Sequence, residues 1–239
     1  MRRVLVTGGG TGIGRAIAHA FLEQGDDVTI AGRRLEPLQE AAGDSSIQIQ
    51  QVDVTDEDQV KALFKTPFDV VIANAGAGTA AKVVDTTLAD WQATLDVNLT
   101  GVFLTFREGL RSMTHGGRLI AIASTASLQG GSNICAYSAS KHGVLGLVRS
   151  AAIEVAKSGI TCNAICPGFV DTEMADNAAA NVMKKFDVPK DKAMKMITAN
   201  NPMGRLIDPG EVAATAVFLA SDGASSINGH ALSVSGGEL

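Results

Sequence analysis

Tyr137 and Lys141 stand four residues apart in a helix-like run, which sets them on one helix face about a turn from each other. Ser124 directly follows the apolar run Arg118–Ala123. A phenol, an ammonium group and a hydroxyl so arranged suit the interconversion of a ketone and a secondary alcohol, where a proton must reach oxygen as hydride reaches carbon. At its ordinary pKa of ~10, a tyrosine holds its proton too tightly to cycle at neutral pH. Lowering that value by about three units needs roughly 4 kcal/mol, the size of one charge–charge interaction at ~4 Å and an effective dielectric of ~20. Lys141 is expected to supply it, while Ser124 donates a hydrogen bond to the substrate oxygen as charge develops there.

A second constellation lies at the start of the chain. The apolar run Val4–Val6 leads into Thr7-Gly8-Gly9-Gly10-Thr11-Gly12-Ile13-Gly14, and a helix-like stretch follows from Arg15 to Leu22. A glycine-rich turn between strand and helix lets the backbone approach a pyrophosphate, whose charge meets the helix N-terminal N–H groups. The second apolar run ends in Gly32-Arg33-Arg34, with no acid to accept bonds from ribose hydroxyls. A guanidinium at that point favours a 2′-phosphate, which it can grip in bidentate fashion, so the expected cofactor is NADP(H) with Arg33 as its main phosphate ligand.

To position these groups the chain offers seven short apolar runs, Val4–Val6, Val28–Ala31, Ile47–Val52, Val70–Ala73, Arg118–Ala123, Thr161–Ile165 and Ala231–Val234, with helix-like segments between them. Strands apolar throughout are buried on both faces. The pattern predicts an α/β fold of Rossmann type, a doubly wound parallel sheet of about seven strands with helices on both faces. At 239 residues, with no repeat and no compositional break, one domain is expected over 1–239. Residues 171–208, rich in Ala, Met and Lys and broken at Asp187-Val188-Pro189 and Asn200-Asn201-Pro202, are expected to form a substrate lid.

The spacing of Gly8, Gly12 and Gly14 resembles the short-chain dehydrogenase/reductase form of the dinucleotide turn, and further matches run through nearly the whole chain. They are Asp53 in Val52-Asp53-Val54, Asn74-Ala75-Gly76 closing a strand, Asn98 in Asp96-Val97-Asn98, Tyr137-Ser138-Ala139-Ser140-Lys141, and Pro167-Gly168 with Thr172. The resemblance implies a catalytic tetrad of Asn98, Ser124, Tyr137 and Lys141, the serine standing thirteen residues before the tyrosine. It further implies a cofactor site that includes Gly8, Thr11, Gly12, Ile13, Gly14, Asp53, Val54 and Asn74 to Gly76. In that site Asp53 meets the adenine, Asn74 to Gly76 border it, and Val170 and Thr172 hold the nicotinamide end beside Pro167 and Gly168. Lys141 would also bind the nicotinamide ribose, and Asn98 would hold a water that links the lysine to solvent. Arg34 stands beside Arg33 as a second basic group, but Thr11 replaces a basic residue common in NADP-using relatives, which leaves NAD(H) open.

The stretch Cys166-Pro167-Gly168-Phe169-Val170 and the ending Val234-Ser235-Gly236-Gly237 resemble β-ketoacyl reductases, including those of polyketide pathways, with Ser235 where many relatives carry an aspartate. A 3-oxoacyl thioester on acyl carrier protein or CoA is the expected substrate. Lys184, Lys185, Lys190, Lys192 and Lys195 outnumber Asp176, Asp187 and Asp191 on the lid and would receive an anionic carrier, with Met174, Met183 and Met194 over the acyl group. Those lysines equally suit a solvated helix face. The alternative enzyme is a dehydrogenase of a secondary or cyclic alcohol. A cofactor-sensing regulator is the alternative of another class, and the intact tetrad argues against it. A net charge of -5 and 4% aromatic residues disfavour nucleic acid. Three cysteines without CxxC spacing, and no apolar run long enough for a signal peptide or membrane span, point to the cytoplasm. His19, His115, His142 and His230 lack metal-ligand spacing, so no metal is expected. By resemblance the chain would assemble as a homotetramer, with the apolar helix Gly143–Val155 as one packing face.

Overall fold

The central apolar runs become strands that bury both faces, and the helices between them are long enough to cross from one strand to the next in parallel. The computed structural model describes residues 1–78, 80–113 and 116–239. Strands β1 (Arg3–Thr7), β2 (Asp27–Gly32), β3 (Gln48–Gln51), β4 (Val70–Ala73), β5 (Arg118–Ile122), β6 (Thr161–Pro167) and β7 (Ala231–Val234) form one sheet in the order β3-β2-β1-β4-β5-β6-β7. Every neighbouring pair is parallel. This is the expected single-domain, doubly wound Rossmann-type architecture.

Side chains alternate between two cores. Val4, Val6, Ile30, Ile72 and Ile165 pack with α1 (Gly12–Glu23), α2 (Leu35–Ala42) and α9 (Pro209–Leu219). Leu5, Ala31, Val71, Leu119 and Cys162 pack on the other face with α3 (Glu57–Leu63), α5 (Gly101–Ser112) and α6 (Cys135–Val155). α4 (Leu88–Leu95) runs into α5 through a π-helical turn, Asp96–Thr100. α9 starts sharply because Pro209 stands in its first turn and Asp208 and Glu211 form a reciprocal capping box.

The expectation that each strand is apolar throughout fails at β3. It lies at the sheet edge with Gln48, Gln50 and Gln51 exposed, and only Ile49 packs against the core. A short polar edge strand discourages pairing with another chain. Beyond β6, Val170 and Ile207 form an isolated parallel bridge, so the intervening chain leaves and returns at one point. It carries α7 (Glu173–Phe186) and α8 (Lys190–Ile197), separated where Asp187 takes a left-handed conformation at φ 50°.

Candidate active site

The strand order reverses between β1 and β4, and their carboxyl ends open the crevice where ligands bind in such sheets. At β1 the glycine turn needs its glycines. Gly8 and Gly12 take φ of 65° and 51°, and a side chain on Gly14 would run into the Gly8 carbonyl and the Asn74 amide. Asn74, expected to border the adenine, also holds this turn with its side chain. Its Nδ2 donates to Thr7 O at 2.9 Å and Gly8 O at 3.1 Å, while its backbone N–H donates to Thr7 Oγ1 at 3.0 Å. Ala75 N–H donates to the same hydroxyl at 3.2 Å, so the end of β4 is stitched to the turn.

Thr11 precedes α1 in extended conformation, its side chain makes no capping bond, and no acid occupies the first turn of the helix. The first N–H groups of α1, from Gly12 and Ile13 onward, therefore suit an anion. Arg33 and Arg34 follow β2, both exposed, and neither forms an ion pair among the described residues, in contrast to Arg2, Arg107 and Arg205. Asp53 follows β3. Its Oδ1 accepts from Thr55 N at 3.0 Å and Thr55 Oγ1 at 2.8 Å, which fixes the turn in which Val54 lies buried. On the opposite side, a side-chain carbon on Gly12 would meet Thr172 Cγ2 at 3.0 Å, and Thr172 Oγ1 donates to Val170 O at 3.2 Å. Gly168 N–H donates to Val234 O at 3.1 Å, anchoring the Pro167-Gly168 turn to β7. The residues expected to touch a dinucleotide thus lie along one edge of the sheet, after β1, β2, β3 and β4 and at the end of β6.

The proposed tetrad meets at the carboxyl end of β5. Ser124 is extended at φ -171°. Its Oγ accepts from Ala126 N at 3.1 Å, and its own N–H donates to Ser127 Oγ at 3.2 Å. This small capping box fixes the hydroxyl toward the phenol of Tyr137. Lys141, one turn further along α6, is buried, donates from Nζ to Ile122 O at 2.8 Å and lies 5.7 Å from the centroid of the Tyr137 ring. Gly76 closes over it, since a side-chain carbon there would stand 3.8 Å from Lys141 Nζ and 3.3 Å from Asn98 Oδ1.

Asn98 is fully buried in the π-helical turn, a distortion often retained at functional sites. Its amide pairs with the Ala77 peptide, accepting from N at 2.8 Å and donating to O at 2.7 Å, and also donates to Ser140 Oγ at 3.2 Å. Ser140 Oγ in turn donates to Tyr137 O at 2.7 Å. The side chain of Asn98 is therefore occupied in tying the loop after β4 to α6. Sequence reasoning missed Ser127 and Ser140, although each stands three residues after a tetrad member, the spacing of local capping contacts.

Electrostatics run partly against expectation. Burial pushes the Tyr137 phenol above its ordinary range, with the Ser124 hydroxyl pulling the other way. Burial likewise lowers Lys141 to about 8, opposed by Cys166. Desolvation is the largest influence on both members and opposes the charged form of each, while Lys141, at about 8, still holds its proton at neutral pH. A phenol that keeps its proton is a proton donor. Among the described residues no group of His, Cys, Asp and Glu could hold a metal ion; His115 lies outside them.

A dinucleotide-type turn and sheet edge that end on a serine, a half-buried tyrosine and a buried lysine define an oxidoreductase working between ketones and alcohols. The comparisons with known proteins make the class specific: the chain belongs to the short-chain dehydrogenase/reductase family. Residues 8–238 match the family described as enoyl-(acyl carrier protein) reductase. The chain is 36% identical over 249 residues to a cis-4-hydroxycyclohexanecarboxylate dehydrogenase of Sinomonas cyclohexanicum, covering 99% of this chain and 96% of that one. It is 35% identical over 249 residues to a 3-oxoacyl-[acyl-carrier-protein] reductase of Synechocystis, covering 98% and 95%. A crystal structure of an actinorhodin polyketide ketoreductase variant with NADPH superposes with a TM-score of 0.94 at 33% identity, covering 99% and 97%.

Proposed function

We propose that the chain is an NADP(H)-dependent reductase of 3-oxoacyl thioesters, with Asn98, Ser124, Tyr137 and Lys141 as its tetrad. The observation that carries this reading is the cluster of half-buried Ser124 and Tyr137 with buried Lys141, set on the same edge of the sheet as Arg33 and Arg34, which form no ion pair among the described residues. The glycine turn, with its positive φ values and uncapped helix start, fits a pyrophosphate. Gly8, Thr11, Gly12, Ile13 and Gly14 hold that group, Arg33 and Arg34 take the 2′-phosphate, Asp53 and Val54 flank the adenine, and Val170 and Thr172 flank the nicotinamide. Bound there, the nicotinamide supplies hydride. Ser124 orients the carbonyl and Tyr137 delivers the proton to its oxygen. Lys141 holds positive charge beside the phenol, and Asn98 fixes the loop that closes over the lysine.

The relative from Synechocystis and the ketoreductase with NADPH support the 3-oxoacyl and NADP(H) readings. The cyclohexane-derived dehydrogenase supports the alternative, the same residues oxidising a cyclic secondary alcohol. Residues 171–208 act as the lid. Lys190 is paired with Asp176 at 2.8 Å, so an anionic carrier would meet Lys184, Lys185, Lys192 and Lys195, while Met174, near the start of α7, is about half exposed. No described helix is long and apolar enough to cross a membrane. Free cysteines suit the cytoplasm, and exposed Ile153 on α6 and Phe103 on α5 suit a homo-oligomer, read as a tetramer.

The test follows nicotinamide absorbance with NADPH or NADH against acetoacetyl-CoA, an uncharged β-ketoester and a cyclic ketone. Faster turnover of the thioester with NADPH supports the proposal; turnover only of cyclic alcohols in the oxidative direction replaces it with the alternative. Arg33→Ala is expected to raise KM for NADPH roughly tenfold to hundredfold, the worth of one charge-assisted contact of about 1.5–3 kcal/mol, and to leave NADH unaffected. An equal change for both cofactors would remove Arg33 from the phosphate site.

A further inference from the structure

Segment 235–239, after β7, packs between the end of the lid and the loop that follows Ser124. Gly236 and Gly237 carry φ of 64° and 93°. They press so closely on the end of the lid that a side-chain carbon on the first would strike Asn201, and one on the second would lie 3.4 Å from Pro202. This turn sends Glu238 inward, toward the loop that begins at Ser124. Its Oε1 accepts from Gln129 Nε2 at 3.4 Å; partial burial pushes the carboxyl above its ordinary range, and the Thr125 hydroxyl against it pulls the other way. Its Oε2 stands 3.0 Å from the point where a side chain on Gly168 would begin.

Two segments beside the tetrad therefore meet one carboxylate, the loop after the serine and the Pro167-Gly168 turn, while the end of the lid packs on the glycines that precede it. Glu238 is only partly buried and has no cationic partner among the described residues. Its charge thus falls on whatever lies between these segments. We propose that Glu238 is a specificity-determining residue of the substrate wall, which excludes substrates with a carboxylate next to the reacting carbonyl and admits those whose acyl end is neutral, such as esters and thioesters.

This rests on the ketone-reductase reading and sharpens it. Combined with the lysines on the outer lid, it describes a site with negative charge near the reacting carbon and positive charge at the mouth. A carrier-bound 3-oxoacyl thioester satisfies both, since its phosphates lie far from the ketone. A free β-keto acid or a cyclic keto acid satisfies neither.

The experiment compares kcat/KM for ethyl acetoacetate and acetoacetate in the wild-type protein, Glu238→Gln and Glu238→Lys, with NADPH. Two like charges ~5 Å apart at an effective dielectric of ~20 to ~40 set a penalty of roughly tenfold to several-hundredfold. Wild type should favour the ester, Glu238→Gln should narrow the preference at least tenfold by gaining on the acid, and Glu238→Lys should reverse it. Equal use of acid and ester by the wild type overturns the proposal. So does an equal loss on both substrates in Glu238→Gln, which would make Glu238 a prop of the tail. Should the wild type reduce neither, the reductase reading fails, and calorimetry of 3-hydroxybutyrate and its ethyl ester, with NADP present, still decides the charge discrimination in the same three proteins.

Discussion

Tyr137→Phe is expected to lower kcat by roughly 10²–10⁴-fold, the range for removal of a general acid, with little change in melting temperature or in KM for NADPH. The substitution removes one oxygen from a half-buried ring and leaves the ring in place. Ser124 keeps its contact with Ala126 N, and Lys141 keeps its bond to Ile122 O, so the rest of the cluster has no reason to move. Loss of the phenol also spares the protein the desolvation of a polar group, which offsets the lost interaction with Ser124. A stopped-flow trace with NADPH and the best ketone of the panel, beside a thermal melt, reads both quantities. Retention of more than about a tenth of the wild-type rate would take proton delivery away from Tyr137.

The parts of this architecture legible in the sequence are those set by local chemistry. The seven apolar runs lie within a few residues of the seven strands, because a parallel strand buried on both faces has to be apolar. β3 broke that rule, since at a sheet edge one side of the strand has no neighbour and Gln48, Gln50 and Gln51 answer to solvent. The glycine turn and the Tyr137–Lys141 pair were readable for the same reason, one being a backbone constraint and the other a helix spacing. Two kinds of information stayed hidden. The π-helical turn at Asp96–Thr100 leaves no signature in residue type, so the pairing of Asn98 with the Ala77 peptide came only with the fold. Glu238 meets Gln129 across 109 positions, and nothing local to either residue announces the other. Asn74 shows a third limit: its type and place were read, but its amide serves the glycine turn.

Lys141→Met should abolish turnover and, without added nucleotide, stabilise the protein at neutral pH. Burial takes Lys141 from an ordinary 10.5 to about 8, which corresponds to about 3 kcal/mol of penalty on the charged native form. Above pH 10.5 the amine is neutral in both folded and unfolded chains and the penalty vanishes. Between about 8 and 10.5 the unfolded chain holds a proton that the native one has shed, so stability falls as pH is lowered through this window. Below 8 both are charged and the full cost stands. Methionine keeps an unbranched apolar stem in the same channel and gives up the bond to Ile122 O, worth about 1 kcal/mol, so a net gain of about 1–2 kcal/mol is expected at pH 7. The gain should shrink as pH rises to 10.5, and melts at the two pH values measure it directly. A variant less stable than wild type at pH 7, by a margin that does not change with pH, would show that the amine is a structural tie instead of a charge held in the core against its solvation. The expected pairing of lost activity with gained stability follows from one cause, an ammonium whose charge is penalised by burial beside the Tyr137 ring.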